Sequence, residues 1–353
     1  MGDRRAHLVG SIPAVTTAKA MRLAVERLGP ELDYLPDGET GARRTWVISM
    51  IEALRVHPDF MVVKDGDWSD YDKTPRFALR PGHRLYGAAL DLGIAGAARA
   101  AMSEFDTLRA EMAPRSPAGP RFLVGIPGDL DLALFTFGPT GPVRHVRPFT
   151  EALAATMWQI SRMFGDDVLF QIEVPAESVL VARTPSALRP ALAALLARRI
   201  SALAQGAPEG SRFGLHLCLG DMNHRALGRL PDASPLVLLA NAVAARWPDG
   251  RPLHYVHAPL AAADKPPPVR EAFYRPLAGL KLGPDIRFIA GFAHEDQDAA
   301  AQFRIRQMIE DAVGHPVDVS TSCGLGRREP DAAMAAMDRI KLLLSDRPPA
   351  GLD

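Results

Sequence analysis

Cysteine is nearly missing from this chain: its 353 residues hold only Cys218 and Cys323. An excess of charge is missing too, since 41 lysines and arginines face 41 aspartates and glutamates. That balance removes the electrostatic footprint of a nucleic-acid or anionic-membrane binder, so neither partner is expected. No apolar run reaches the roughly 18 residues that a membrane span requires. The opening stretch MGDRRAHLVGSIP runs straight into a strand-like segment without the apolar core of a signal peptide, so a cytoplasmic protein is expected. In that compartment a disulfide between the two cysteines is disfavoured. Two inert buried thiols are the plain alternative, and their neighbours must decide.

Strand-like and helix-like segments alternate along the whole chain. Eight buried-strand patterns span HLVGSIP (7–13), DYLPDGE (33–39), RFLVGIP (121–127), VLFQIEVP (168–175), FGLHLCLGD (213–221), LHYVHAPL (253–260), IRFIAGFAH (286–294) and VDVSTSCG (317–324). Most are rich in β-branched or aromatic residues and end beside a turn former. Helical spacing of apolar residues covers 15–29, 43–57, 146–165, 185–206, 234–247, 269–281, 298–314 and 331–346. Strict alternation implies parallel strands with helical crossovers. The expected fold is α/β, a closed (β/α)8 TIM barrel. A doubly wound open sheet competes, but no G-x-G-x-x-G follows the first strand. Residues 58–120, with Asp65, Asp67, Trp68, Asp70, Tyr71 and several prolines, break the period. They read as an insertion with a helix near 95–112 that forms part of a substrate entrance. No linker-like composition divides the chain, so 1–353 is expected to be one catalytic domain with a loose tail from Arg347.

In such a barrel the chemistry collects at the C-terminal strand ends. Those ends carry Ser11, Asp37, Glu39, Glu173, His216, Cys218, Asp221, His254, His257, His294, Glu295, Asp296 and Cys323. Polar groups there are costly to bury without partners, so their common location points to a site. His216-x-Cys218 puts an imidazole and a thiol on one face of a strand, a pair that suits zinc. Cys323 can add a third ligand across the mouth. Unrelated core residues are the alternative, and the use of both cysteines at one place argues against it. Arg327 and Arg328 either bind a substrate anion or form a solvated turn. Trp46 and Trp158 lie on apolar helix faces and are expected in the core.

Six segments in order resemble motifs of the cobalamin-independent methionine synthases, in their C-terminal catalytic barrel. VGSIP (9–13) is similar to I-G-S-x-P, DGETGAR (37–43) to [HD]-G-E-x-x-R, and QIEVP (171–175) to Q-I-D-E-P. HLC (216–218) is similar to the zinc pair H-x-C, AGFAHED (290–296) to a strand end with a histidine, and SCGLGRR (322–328) to D-C-G-L-x-x-R. The resemblance implies a zinc-dependent methyl or alkyl transferase acting on a homocysteine-like thiol. It implies Zn2+ on His216, Cys218 and Cys323. Ser11, Glu39 and Glu173 would hold the amino-acid part of the substrate, and His294 would shuttle a proton near the leaving group, which makes His294, Glu39 and Glu173 the catalytic candidates. The family's fourth ligand is a glutamate; here His257 takes the equivalent position, while His254 has the opposite strand parity. Glu173 and Val174 stand where the family has Asp and Glu. The donor would be a folate or a corrinoid, the latter carried on a partner protein. The family's folate-site tryptophan motif has no counterpart near GIPGDLDLALF, and its long N-terminal domain has none in these residues.

Two other readings use the same barrel. A zinc-dependent lyase or hydrolase would activate water or another thiol, with Glu39, Glu173 and His294 as acid–base groups. A metal-free enzyme akin to uroporphyrinogen decarboxylase would use the rim to hold an anion.

Overall fold

The computed structural model describes residues 4–114, 116 and 118–346; the tail from Arg347 lies outside them. The strands, in chain order, are β1 (Tyr34–Pro36), β2 (Phe60–Lys64), β3 (Arg76–Leu79), β4 (Arg121–Pro127), β5 (Val168–Glu173), β6 (Arg212–His216), β7 (Leu253–Pro259), β8 (Arg287–Gly291) and β9 (Asp318–Ser320). Seven of them form a curled parallel sheet in the order β1-β4-β5-β6-β7-β8-β9. Helical crossovers cover its outer face, which is why a strand such as VLFQIE is buried at every position.

The expected first strand, 7–13, is not a strand of this sheet. Ala6 alone bridges in parallel both to Leu32, just before β1, and to Val319 in β9. Beyond His7, whose N–H donates to Val319 O at 3.0 Å, the chain serves the loops instead. Ile12 N donates to Gly38 O at 2.8 Å, and Ser11 O accepts from Leu325 N at 2.7 Å. The backbone groups of VGSIP thus pin two strand-end loops, so they cannot extend a ladder.

The inside of the curl is layered, because alternate residues of each strand point inward. At the bottom, Tyr34, Leu123, Leu169, Tyr255 and Ile289 form an apolar cluster separate from the main core. Tyr255 reaches across β6 because Gly214 lets it: a Cβ there would stand 2.0 Å from the ring. The next layer is polar, with the Tyr255 hydroxyl (2.9 Å) and His7 Nε2 (3.0 Å) both donating to Gln171 Oε1. One step higher, Glu173, His216 and His257 are paired side by side across β5, β6 and β7. The mouth of the sheet begins there.

Five expected helices appear almost where the apolar spacing put them: Thr17–Leu28, Val146–Phe164, Ser234–Ala244, Ala299–Val313 and Pro330–Leu343. Side-chain caps start two of them, Thr16 accepting from Lys19 N (3.2 Å) and Asp298 from Ala301 N (2.7 Å). The expected helix 43–57 breaks at Trp46, whose φ is 43°, leaving Val47–Ala53 between 3-10 turns. The helix that packs against Thr17–Leu28 and Val146–Phe164 is Ile94–Met112. It lies between β3 and β4 and packs among the helices that cross over between strands of the sheet. Within 58–120, β2 and β3 pair with each other as a separate two-stranded sheet. Pattern 185–206 is two helices, Pro175–Arg183 and Arg189–Gln205, the first opened by proline. Pattern 269–281 shortens to Glu271–Tyr274 followed by a 3-10 turn, where Pro276 withdraws an N–H. Helix Asp129–Phe137 follows β4 directly and was not anticipated; its short apolar run carries no clear period. Trp158 lies outside the core, 51% exposed. Among the described residues no helix is long and apolar enough to cross a membrane.

Candidate metal centre

β6 ends at His216, and a tight turn lifts the chain out of the sheet: Leu217 N donates to His257 O (2.9 Å) and Cys218 N to His216 O (3.1 Å). Cys323 arrives from the opposite edge, on the loop after β9. That loop is seated on Ser11, whose Oγ accepts from Gly326 N at 3.2 Å. Gly324 is required there, since a Cβ would lie 2.3 Å from Ser11 Oγ. The result is that donor atoms of His216, Cys218 and Cys323, all buried, lie within 4.8 Å of one another. The sulfurs are 3.7 Å apart, and both cysteines are free.

The two thiols act as one titrating unit. The hydrogen bond between them, with burial, pushes Cys218 up. The same bond pulls Cys323 well below the usual thiol range. The pair thus favours a single negative charge that Cys218 stabilises as donor.

His216 is held in one tautomer by its neighbours. Thr321 O, an acceptor only, lies 3.0 Å from His257 Nε2, so that nitrogen carries a proton. Burial pushes His257 far below the usual imidazole range, so the ring is neutral and its Nδ1 accepts. The partner at 2.6 Å is His216 Nδ1, which must therefore donate. His216 Nε2 is left as a buried lone pair without a hydrogen-bond partner. Beside two sulfurs, that nitrogen is a donor atom for a cation. His257 is not brought into the group as a fourth member, because both of its nitrogens are engaged. Gly291 makes room for it: a Cβ there would stand 2.8 Å from His257 Nε2.

The other expected residues divide. Glu173 lines the pocket above the sulfurs. Burial, with the negative charge of Cys323, pushes its carboxyl up to about 8, while Gln171 Nε2 donates to Oε1 at 2.9 Å. Glu39, at φ 44°, is also pushed up by burial and by the charge of Glu173. Its carboxylate lies over Gly10, where a Cβ would be 2.8 Å away, and it lines a neighbouring recess with Asp37 and Arg43. Ser11 is occupied as the anchor of the Cys323 loop. His294 stands apart from the sulfurs, with Nε2 donating to Ala263 O (3.0 Å) and Nδ1 accepting from Asp296 N (3.2 Å).

Sequence reasoning missed most of the pocket wall. Trp46, Trp68, Tyr71 and Phe135 line it opposite Glu173, Cys218, Cys323 and Arg327. Trp68 and Tyr71 come from the β2–β3 hairpin region, where they were expected to reach an entrance. Trp46 and Phe135 carried no signal beyond apolarity.

No protein-family model and no curated protein matches this chain. Solved structures do. A B12-independent methionine synthase from Shewanella sp. W3-18-1, in complex with selenomethionine, shares 12% identity over 97% of each chain, with a TM-score of 0.59. A methyltransferase from Methanosarcina mazei shares 12% identity over 97% of this chain and 94% of its own, with a TM-score of 0.53. The chain therefore has the α/β fold of methionine synthase-like methyltransferases over nearly its whole length.

Proposed function

We propose that the chain is a zinc-dependent methyl or alkyl transferase acting on a thiol, built on a single closed (β/α)8 barrel whose first strand is reduced to the bridge at Ala6. The observation that carries this reading is the orphaned Nε2 of His216 facing two free thiols. The donor set fits zinc: one neutral imidazole nitrogen and two sulfurs, one of them already favoured as thiolate. His216, Cys218 and Cys323 would hold the ion, and three protein ligands leave a position for substrate. Zinc, when bound, supplies the Lewis acidity that turns a substrate thiol into a thiolate at neutral pH. His257 orients His216 through the bond to Thr321 O, the support that ligating histidines commonly receive. Glu173, poised near neutrality beside the pocket, can exchange a proton at the carboxylate oxygen that Gln171 leaves open. Trp46, Trp68 and Phe135 exclude water from the methyl group in transit. The donor, a folate or a corrinoid, is left open, and a cytoplasmic location stays part of the proposal.

The test is elemental analysis of the purified protein, followed by transfer assays. We expect about one zinc per chain, and loss of methyl from methylcobalamin or methyltetrahydrofolate only when homocysteine or another thiol is present. Methyl loss without a thiol would favour the lyase or hydrolase. A folded protein that takes up no zinc when it is supplied would sink the transferase reading.

A further inference from the structure

Four aromatic side chains share one cavity with the two sulfurs: Trp46, Trp68, Tyr71 and Phe135. Both tryptophans are buried, and both have left-handed backbone, with φ 43° at Trp46 and 57° at Trp68. A bulky residue with positive φ is a genuine outlier, and such strain gathers where a ligand is clamped. The polar tips of the hairpin aromatics are spent on protein. Trp68 Nε1 donates to Glu52 Oε1 at 2.6 Å, and the Tyr71 hydroxyl is held by Met222 N and Arg225 O. What these two side chains offer the cavity is ring. Arg327 is the one cation among the described residues of the wall, and buried Asp221 faces it as an ion pair, Nε to Oδ2 at 3.9 Å. With that pair balanced, the wall holds no free positive charge. The cavity is small, about 100 Å3, against roughly 300–1,000 Å3 for a pocket that encloses a drug-sized ligand. A pterin or a corrin ring would stay outside it, whereas a methylated head group is of its size. His294, the expected proton source for a leaving group, has both nitrogens engaged elsewhere, on Ala263 O and Asp296 N.

We propose that the methyl donor is a methylated onium cation, a quaternary ammonium or a tertiary sulfonium, whose head sits among Trp46, Trp68, Tyr71 and Phe135. The inference rests on the thiol reading above and names its donor. Aromatic rings attract such a cation, and a head that carries only methyl groups has no N–H bonds to water to give up. In the transfer the substrate sulfur forms a bond to one methyl carbon. The bond from that carbon to the onium nitrogen or sulfur breaks, and its electron pair stays with the leaving group, which departs as a neutral amine or sulfide. The thiol proton goes to Glu173 or to water. The leaving group itself needs no acid, in keeping with the engagement of His294 away from the sulfurs.

Choline and 3,3-dimethylbutan-1-ol share a shape and differ in charge. Calorimetric titration should show the purified protein binding choline roughly 10- to 30-fold more tightly than the neutral alcohol, the range for a desolvated cation against aromatic rings. That preference should fall severalfold in W68L and persist in W68F. Both variants lose the bond to Glu52, so the difference between them reports the ring. With homocysteine present, choline should yield methionine and dimethylaminoethanol, or its counterpart (2-hydroxyethyl)dimethylsulfonium should yield methionine and 2-(methylthio)ethanol; the faster donor tells ammonium from sulfonium. Equal affinity for choline and the alcohol in the wild type, which needs no variant to fold, overturns the proposal. So does a preference that W68L keeps in full, or methyl transfer to the thiol from methylcobalamin or methyltetrahydrofolate but from neither onium. Cobalt(II) loaded in place of zinc reports thiol binding through its visible spectrum. A protein that binds one cobalt per chain but answers to no thiol sinks the thiol reading itself, and this inference with it.

Discussion

The group His216, Cys218 and Cys323 and the acids Asp131 and Glu177 are both buried, and both stand just past the C-terminal ends of strands in the same sheet. They differ in what completes them. The acids face each other: Asp131 Oδ1 accepts from Ala176 N at 2.8 Å, and Asp131 Oδ2 and Glu177 Oε2 have no partner outside the pair. Burial, and then the charge of Glu177, pushes Asp131 up, and burial pushes Glu177 up to about 7. Such a pair satisfies itself by holding protons. The imidazole and thiols leave a gap instead: His216 Nδ1 donates to His257, and Nε2 has no hydrogen-bond partner beside the two sulfurs. Pro175, but neither acid, lines the mouth pocket, whereas both cysteines do. Burial of titratable groups alone does not mark a site; a nitrogen and sulfur donor set whose sulfurs line a pocket does.

The sharpest way to break this comparison is to delete one member from each cluster. Cys323→Ser should take bound zinc from about one per chain to none, since a neutral hydroxyl is a poor ligand in place of a thiolate. Asp131→Asn combined with Glu177→Gln should leave zinc content unchanged. Zinc retained in the first variant or lost from a folded second one would show that the wrong cluster has been chosen.

The acid pair has its own signature, in stability. Its carboxyls bind protons more tightly folded than unfolded, so the stability they contribute is full below about pH 4, the unfolded range, and is lost as pH rises through the folded value, about 7 for Glu177. Denaturant unfolding between pH 4 and 8 should show the wild type losing on the order of 2–3 kcal/mol from this source. The Asp131→Asn, Glu177→Gln double variant should have a flatter profile. Identical profiles would mean that the pair keeps no proton.

His257 allows a finer cut. As support for His216, its replacement by alanine should weaken zinc roughly 10- to 100-fold while the cobalt(II) protein keeps its sulfur-to-metal absorption and coordination geometry. As a fourth ligand, which its position in the strand led us to expect, its loss would change the cobalt geometry as well.

That expectation shows how far the sequence could be read. Strand parity correctly put His257 on the same inner face as His216, because the two are paired in register across β6 and β7. Parity says nothing of where ring nitrogens go, and Thr321 O decides that from the loop just past β9. The alternation of strands and helices was legible because each helix needs an apolar stripe and each inner strand an apolar run. The first strand was not, because VGSIP has a strand's composition but places its backbone groups on Gly38 and the Cys323 loop. Ser11, given a substrate role by the family resemblance, holds the Cys323 loop through its Oγ and backbone O. Arg327 and Arg328 were indistinguishable by sequence; only the position of Glu295 tells them apart. The helix expected near 95–112 is present as Ile94–Met112, while the apolar period of 43–57 concealed the break at Trp46.

The smallest effect concerns the arm that covers one cluster and not the other. The Tyr71 hydroxyl accepts from Met222 N and donates to Arg225 O, each at 3.0 Å, and ties the hairpin region to the loop after Cys218. Tyr71→Phe removes both bonds and keeps the ring. A loss of about 1 kcal/mol is expected for a partly exposed hydroxyl, too little to alter zinc content. If the arm is a wall of the thiol pocket, homocysteine binding to the cobalt(II) protein should weaken severalfold in this variant, while the pH profile set by Asp131 and Glu177 stays as in the wild type. Unchanged thiol affinity would separate the arm from the site and leave the pocket defined by Trp46, Phe135 and Arg327.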